Sequence, residues 1–265
     1  MKKIRLQAHR GVSTEYPENT IAAFQASIDK GYDIIELDTK YTKDGVCVVL
    51  HDRTLNRTCR LPDGSKLPDE PKLAIADITL EEARSFDAGI FKGEQFKGEK
   101  IPTFAETLEF IKKSPIPYKL DNVWETFTPE QQNDFLGLVK AADLGNKIGF
   151  TCRVFECFER VAKEFPECEL HWDGSLDDET LANVKKVGAG HRVTIWIRFD
   201  NKMTAWCKFP PATPELCDKI RQYGEVGVWI LSTEEEFDIA VTELKADSIE
   251  TTGGVKPWMF DKFVK

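Results

Sequence analysis

Short apolar segments alternate with segments of helical periodicity along almost the whole chain of 265 residues. Such alternation predicts a parallel sheet, because each crossover helix returns the chain to the start of a new parallel strand. Eight strands are predicted, at residues 4–9, 33–39, 117–122, 147–152, 168–173, 191–199, 225–231 and 246–252. Eight strands in a chain of this length predict an α/β fold of the TIM (β/α)8 barrel type, as a single domain over residues 1–265.

One segment does not alternate. Residues from about 53 to 100 form a polar run rich in proline and glycine that is too long for a simple loop. We therefore expect a small insertion after the second βα unit. The apolar segment 46–52 just before it is predicted to extend that unit rather than to add a barrel strand.

Composition narrows the classes of partner. The formal charge of −9, from 36 basic and 45 acidic residues, argues against nucleic acid and anionic membranes and leaves a small-molecule substrate. The seven cysteines lack the paired spacing of a zinc site or a disulfide framework, and we expect them to be reduced. No apolar run is long enough for a membrane span, and the first residues do not resemble a secretion signal, so a cytoplasmic location is expected. The sequence leaves the oligomeric state open.

A carboxylate pair lies between two histidines near the start of the chain. Glu36 and Asp38 are two residues apart in a predicted strand, so both side chains point to the same face. Adjacent carboxylates repel each other unless a cation or a proton lies between them. His9 and His51 flank the pair in sequence and can transfer protons near neutral pH. A cation site with two acid–base groups indicates phosphodiester chemistry.

These residues belong to a longer ordered set of motifs. The set comprises HRG at 9–11, PENT at 17–20, AFQASIDKG at 23–31, IELD at 35–38, TKDG at 42–45, LHD at 50–52, TLNRT at 54–58, DAG at 87–89 and IPTFAETL at 101–108. It resembles the N-terminal signature of the glycerophosphodiester phosphodiesterase family. The resemblance implies hydrolysis of a small glycerophosphodiester, such as glycerophosphocholine or glycerophosphoethanolamine, to glycerol 3-phosphate and an alcohol.

The resemblance also assigns roles to residues. It implies that His9 and His51 are the acid–base pair, that Arg10 binds phosphate, and that the pair Glu36 and Asp38 holds a divalent cation, Mg²⁺ or Ca²⁺. Which histidine is the base stays open. The insertion is implied to lie over the mouth of the barrel and to shape the substrate pocket.

The third predicted barrel strand departs from the family pattern. Members carry Glu-x-Lys there, with the glutamate on the metal and the lysine on phosphate, whereas this chain has Lys119 and Asp121. Alternation directs both side chains to the barrel interior. Three alternatives follow: Asp121 completes the cation site with Glu36 and Asp38; the ammonium of Lys119 replaces the cation and stabilises phosphoryl charge; or Lys119 pairs with the carboxylates and the site is inactive.

Two further features leave alternatives open. Trp196 and Trp229, near strand ends, belong either to the core or to an apolar wall beside the substrate alcohol. The family signature DGIxTDxP is replaced by ADSIETTGGVKP at 246–257, a change expected to affect the closing loop rather than the chemistry. The alternatives to hydrolysis are a catalytically weak barrel that binds phosphate ligands, and a lyase that stops at the cyclic phosphate.

Overall fold

The strands close into a parallel barrel. The structure, a computed structural model, describes residues 3–199 and 210–263. Eight strands form the barrel in the order β1-β10-β9-β8-β7-β6-β5-β2, and β3 pairs with β4 as a separate antiparallel hairpin. The strands are β1 (Arg5–Ala8), β2 (Ile34–Leu37), β3 (Thr39–Tyr41), β4 (Cys47–Val49), β5 (Tyr118–Leu120), β6 (Ile148–Cys152), β7 (Glu169–Trp172), β8 (Val193–Arg198), β9 (Glu225–Leu231) and β10 (Ser248–Thr251). The predicted TIM barrel is confirmed.

Helices connect the barrel strands. The described helices are α1 (Ile21–Asp29), α2 (Leu80–Ser85), α3 (Phe104–Lys113), α4 (Pro129–Ala142), α5 (Phe155–Glu164), α6 (Asp178–Val187), α7 (Pro214–Ile220) and α8 (Glu234–Thr242). Threonine begins many of them: Thr103, for example, accepts the backbone N–H of Glu106, whose side chain binds back to the Thr103 backbone N–H. This capping box satisfies N–H groups that the first helical turn leaves unpaired.

Alternation along β5 separates the core from the barrel interior. Tyr118 and Leu120 belong to the large hydrophobic core that the strands and helices share. Lys119, which lies between them, lines a cavity at the carboxyl ends of the strands, as does Asp121 just after β5. The predicted register of this strand therefore agrees with the structure, and Lys119 is the parallel-ladder partner of Glu36.

The segment between β4 and α3 has a hydrophobic cluster of its own, formed by Val48, Leu50, Leu55, Cys59, Leu67, Ile75, Ile78, Ala83, Ala88 and Ile101. It contacts the loop that follows β1. The ammonium of Lys92 donates to the backbone carbonyl of Ser13 at 2.6 Å, and the rings of Tyr16 and Phe96 lie 5.1 Å apart. Because that loop leaves the carboxyl end of β1, the segment lies beside the end of the barrel that carries the cavity.

The structure bears on two expectations, that the cysteines are reduced and that the chain has no membrane span. The six cysteines among them are free, and Cys207 lies outside the described residues. None of the described helices is both long enough and apolar enough to cross a membrane.

Candidate active site

A cavity of about 560 Å³ opens at the carboxyl ends of the strands. Active sites of (β/α)8 barrels lie at this end, because the loops that follow the strands converge there. Most of the predicted site residues line the cavity: His9, Arg10, Asp38, His51, Lys119, Asp121, Trp196 and Trp229. Glu36 is buried next to it, with 2% of its surface exposed.

Arg10 binds both predicted cation carboxylates. Its backbone N–H donates to Glu36 Oε2 at 2.9 Å, and its Nε lies 3.3 Å from Asp38 Oδ2. Its Nη1 also donates to Glu18 Oε1 at 3.0 Å. Burial disfavours the charge of Arg10, but these three carboxylates raise the pKa of its guanidinium above the usual value. A fixed planar cation of this kind suits binding to phosphate oxygens.

The carboxylates of Glu36 and Asp38 have opposite pKa shifts. Burial, together with the charges of Asp38 and Glu250, raises the pKa of Glu36 well above its usual value. Burial also opposes ionisation of Asp38, but Arg10 outweighs it and holds the pKa of that carboxyl low. Asn19 Nδ2 donates to Asp38 Oδ2 at 2.9 Å and fixes its orientation. Asp38 is therefore ionised and tightly held, while Lys119 offsets only part of the effects that raise the pKa of Glu36.

His9 is almost enclosed by the barrel. Burial lowers its pKa from 6.5 to about 4, against the opposing effect of Glu250. Its Nε2 lies 3.9 Å from both Glu36 Oε2 and Glu250 Oε1, and its Nδ1 has no hydrogen-bond partner among the described residues. The imidazole is therefore neutral near pH 7 and can accept a proton.

His51 is bound to an aspartate. Its Nδ1 lies 2.6 Å from Asp52 Oδ1, and Arg57 Nε donates to Asp52 Oδ2 at 2.7 Å. The hydrogen bond from His51 is the largest cause that lowers the pKa of Asp52. An ionised carboxylate only accepts, so Nδ1 of His51 carries the proton. Arg57 also donates to Glu18 Oε2 at 2.6 Å and so connects this pair to the partner of Arg10.

Lys119 pairs with a residue that the sequence interpretation had placed outside the chemistry. Its Nζ donates to Glu250 Oε2 at 2.6 Å, and both side chains are buried. The described ion pair of Lys119 is thus with Glu250 rather than with Glu36 or Asp38. The altered signature at 246–257 is expected to affect the closing loop rather than the chemistry, yet its Glu250 lines the cavity.

Two more carboxyl groups line the cavity. Burial raises the pKa of Asp121 to about 6, with the charge of Asp38 as the next cause. Burial also raises the pKa of Asp173 to about 7, with Asp121 as the next cause. These carboxylates repel one another in an enclosed space, so the cavity as a whole favours the uptake of protons or of a cation.

The site contains ligand atoms suited to a cation. Among the described residues, one atom each of His9, Glu36 and Glu250 lies within 4.8 Å of the others. The predicted ligands Asp38 and Asp121 are not in this set, although both line the adjoining cavity. Carboxylate oxygens in excess of positive charge fit a hard divalent cation.

The two tryptophans form part of the cavity wall. Trp196 is buried, its Nε1 donates to His171 Nδ1 at 3.1 Å, and the Lys119 ammonium lies 4.2 Å from its ring centroid. Trp229 is half-buried, lines the cavity and opposes the rise in the pKa of Asp173. Both tryptophans therefore form part of the cavity wall, and Trp196 is the more deeply buried of the two.

Sequence reasoning did not assign roles to several residues of this site, namely Asn19, Asp52, Arg57, Asp173 and Glu250. All five were visible in motifs or near strand ends: Asn19 in PENT, Asp52 in LHD, Arg57 in TLNRT, Asp173 at the end of the fifth predicted strand and Glu250 near the end of the last. Asp52 lies next to its partner His51 and close to Arg57 in the chain, so this contact had a local signal. The other partners lie far away in the chain, and no local pattern could connect them.

The barrel, with histidines, carboxylates and an arginine around a cavity at its carboxyl end, defines a (β/α)8-barrel class with its candidate active site at that end. Residues 9–191 match the model of the "Glycerophosphoryl diester phosphodiesterase family", which covers more than half of the chain. The chain belongs to this family, as the sequence motifs predicted.

Curated relatives resemble part of the chain. A glycerophosphodiester phosphodiesterase of Caldanaerobacter subterraneus is 49% identical over 104 residues, 39% of each chain. One of Bacillus altitudinis is 38% identical over 107 residues, 40% of each chain. The matched region is thus only about two fifths of the length of these relatives.

Solved structures resemble the chain over almost its whole length. A phosphodiesterase of Oleispira antarctica, in complex with its product sn-glycerol-3-phosphate, has a TM-score of 0.70 at 20% identity, covering 94% of this chain and 93% of that one. A glycerophosphodiester phosphodiesterase of Thermotoga maritima has a TM-score of 0.63 at 20% identity and covers 100% of both chains. At this identity the likeness is one of fold.

Proposed function

We propose that this chain hydrolyses a small glycerophosphodiester to glycerol 3-phosphate and an alcohol. The observation that carries the proposal is the convergence of a neutral His9, an aspartate-bound His51 and the guanidinium of Arg10 on one cavity. Family membership supports the same reaction class. The product bound to the Oleispira antarctica enzyme is glycerol 3-phosphate, which agrees with the proposed product.

His9 acts first as the general base and His51 as the general acid. The neutral imidazole of His9 removes the proton from the glycerol hydroxyl next to the phosphate, whose oxygen then attacks phosphorus. His51, supported by Asp52, gives a proton to the departing alcohol. A cyclic phosphate results, and in a second step His51 activates water while His9 returns its proton to the glycerol oxygen. The net reaction consumes one water molecule.

Arg10 binds the phosphate oxygens, and Glu36 and Asp38 are the proposed cation ligands, with Asp121 as a third. These carboxylates would hold Mg²⁺ or Ca²⁺, which would supply neutralisation of phosphoryl charge and polarisation of the reacting group. Lys119 supplies a second positive charge beside the cavity. The ion pair of Lys119 with Glu250 favours this arrangement over one in which its ammonium lies between Glu36 and Asp38.

The alcohol lies against the tryptophan wall. Trp196 and Trp229 offer apolar surface at the side of the cavity that also contains Asp173. Arg53 and Thr54, from the segment 53–100, line a neighbouring cavity that shares Asp38 and His51 with the main one. This segment is proposed to limit the size of the substrate.

The test is the release of glycerol 3-phosphate from glycerophosphocholine, measured with and without a chelator. Phosphorus NMR of the same reaction follows the substrate, any cyclic phosphate and the final monoester. We expect the monoester to accumulate and the chelator to abolish its formation. Accumulation of the cyclic phosphate alone would identify a lyase. Binding of glycerol 3-phosphate without turnover of any glycerophosphodiester would instead identify a barrel that only binds phosphate ligands.

A further inference from the structure

Two departures from the family signature meet inside the barrel. Lys119 on β5 occupies the position of the family's glutamate ligand, and Glu250 on β10 occupies the variable position of DGIxTDxP. The two residues are 131 positions apart, yet their side chains form a buried ion pair of 2.6 Å. The carboxylate lost from one strand thus has a counterpart on another, at the same end of the barrel.

The two oxygens of Glu250 have different neighbours. Oε2 accepts hydrogen bonds from Lys119 and from Gln7 Nε2. Oε1 lies 3.9 Å from His9 Nε2, which is equally far from Glu36 Oε2. One oxygen is therefore held by the barrel, while one ligand atom of Glu250 lies within 4.8 Å of one of Glu36.

We propose that Glu250 is a ligand of the divalent cation, together with Glu36, and that Lys119 holds Glu250 in position. The proposal rests on the proposed function, since it specifies the cation site of that reaction. Hard cations prefer carboxylate oxygens to imidazole, so the cation binds the two glutamates and His9 keeps its role in proton transfer. A carboxylate on β10 thus takes the place of the family's glutamate on β5, in the same cavity as the proposed ligands Asp38 and Asp121.

The competing explanation is a buried ion pair that only stabilises the barrel. The two explanations differ in what happens when both charges are removed together. The variant Lys119→Met/Glu250→Gln leaves the net charge of the cavity unchanged and leaves no unpaired buried charge, which is the usual cause of instability in such variants. A change in cation affinity in this variant therefore reports on direct ligation rather than on charge.

Cation affinity is measured by calorimetric titration of the protein with Ca²⁺ or Mg²⁺ alone, without substrate. We expect the neutral pair to bind at least about tenfold more weakly than the unmodified protein, since changes even outside the ligand set cost about 10- to 100-fold. Equal affinity in the two proteins would overturn the proposal. Circular dichroism establishes that both are folded before the titration.

A reversed pair provides the matched control. In Lys119→Glu/Glu250→Lys the ion pair is retained with its direction exchanged, and the new carboxylate on β5 lies next to Glu36 in the ladder. We expect this variant to bind the cation more tightly than the neutral pair does. Equal affinities of all three proteins would show that neither position supplies a ligand, and would contradict the proposal.

A measurement on the unmodified protein does not depend on the folding of variants. Crystals containing Ca²⁺ should give an anomalous signal about 2.3–2.6 Å from a Glu250 oxygen. A calcium signal in the cavity well outside that distance would overturn the proposal. Failure of the proposed function can be told apart from failure of the cation site. Cation binding that depends on Glu250 but is not accompanied by hydrolysis contradicts only the function. Hydrolysis that resists a chelator, in a protein that binds no cation, contradicts only the cation site.

Discussion

His9 and His51 line the same cavity in unlike surroundings. The side chain of His9 is 13% exposed, whereas that of His51 is 42% exposed and bound to Asp52. Burial keeps the pKa of His9 low, so its ring is ready to accept a proton. The carboxylate of Asp52 holds Nδ1 of His51 and so fixes the tautomer and orientation of its ring. The two residues therefore suit opposite transfers in the first step.

Each histidine should be needed for turnover. General acid–base groups typically contribute about 10²–10⁴-fold, so His9→Ala and His51→Ala should each lower kcat by at least about 10²-fold. The measurement is the steady-state rate of glycerol 3-phosphate release, with circular dichroism as the control for folding. A folded variant with near-normal kcat would exclude that histidine from proton transfer.

The direction of the Lys119 side chain was predictable from the sequence, but its partner was not. Alternation in a strand fixes which residues face inward, and Tyr118 and Leu120 do pack into the core. The contact with Glu250 depends on how β5 and β10 face each other across the closed barrel. No local pattern encodes that contact. The lysine at 119, in place of the family's glutamate, therefore gave no indication that Glu250 would be its partner.

The first helix is shorter than predicted, because residues of the PENT motif form side-chain hydrogen bonds instead of helical turns. Helical periodicity predicts a first helix over residues 17–31, which includes the PENT motif, whereas α1 begins at Ile21. Asn19 has a positive φ of 57°, which a helix does not allow, and its side chain binds Asp38. Thr20 then caps the helix by accepting the N–H of Ala23. The motif serves the site as well as the helix, which periodicity alone does not reveal.

Arg57 connects the inserted segment to both halves of the acid–base site. It donates to Asp52, the partner of His51, and to Glu18, the partner of Arg10. Lysine cannot reproduce this forked contact. We expect Arg57→Lys to lower kcat by about tenfold or more, since misplacement of a reacting group by about 1 Å can cost about 10²-fold. The measurement is kcat and KM for the same glycerophosphodiester.

The free energy of unfolding of Arg57→Lys distinguishes a loss of positioning from a loss of folding. The side chain of Arg57 is 47% exposed, so its ion pairs should contribute only about 0–1 kcal/mol to the free energy of unfolding. Arg84→Lys is the control, because Arg84 pairs with Glu106 in the same part of the chain, outside the cavity lining. Equal kcat in both variants would contradict a positioning role for Arg57.

Glu125 joins two loops below the cavity mouth. It lies in the short 3-10 helix Asn122–Thr126, and its Oε1 accepts the N–H groups of Arg153 and Val154 at 3.1 Å each. Its side chain is 1% exposed. Burial raises the pKa of Glu125 from 4.5 to about 7, against the effect of those hydrogen bonds.

This shift predicts a pH dependence of stability. Because the pKa is higher in the folded state, the folded protein binds more protons than the unfolded chain between about pH 4.5 and 7, and stability falls as pH rises through that window. Glu125→Gln removes this contribution. We expect the free energy of unfolding of the variant, relative to the unmodified protein, to increase from pH 5 to pH 7. A constant difference over that range, measured by urea unfolding, would contradict the raised pKa.

At the scale of the whole molecule, closure of the barrel creates the charge density of the site. Carboxylates from β2, from the loop after β5, from the loop after β7 and from β10 meet in one enclosed cavity, with Arg10 and Lys119 as nearby cations. The alternation of strands and helices was sufficient to predict the barrel, because it requires parallel strands with helical crossovers. The excess of carboxylates over cations arises because the strand ends converge in the folded barrel. The Glu36 and Asp38 pair showed only part of this excess in the sequence.

The same excess predicts that divalent cations stabilise the folded protein. A cation that binds only the folded state adds about 2.7 kcal/mol to the free energy of unfolding at 100 times its Kd. We expect CaCl₂ or MgCl₂ to raise Tm by several degrees relative to NaCl of equal ionic strength, as measured by calorimetry. His51→Ala should keep this rise, since His51 is not among the cation ligands, whereas Lys119→Met/Glu250→Gln should lose most of it. An identical Tm in divalent and monovalent salt would mean that the crowded carboxylates are neutralised by protons and by Arg10 and Lys119 rather than by a bound cation.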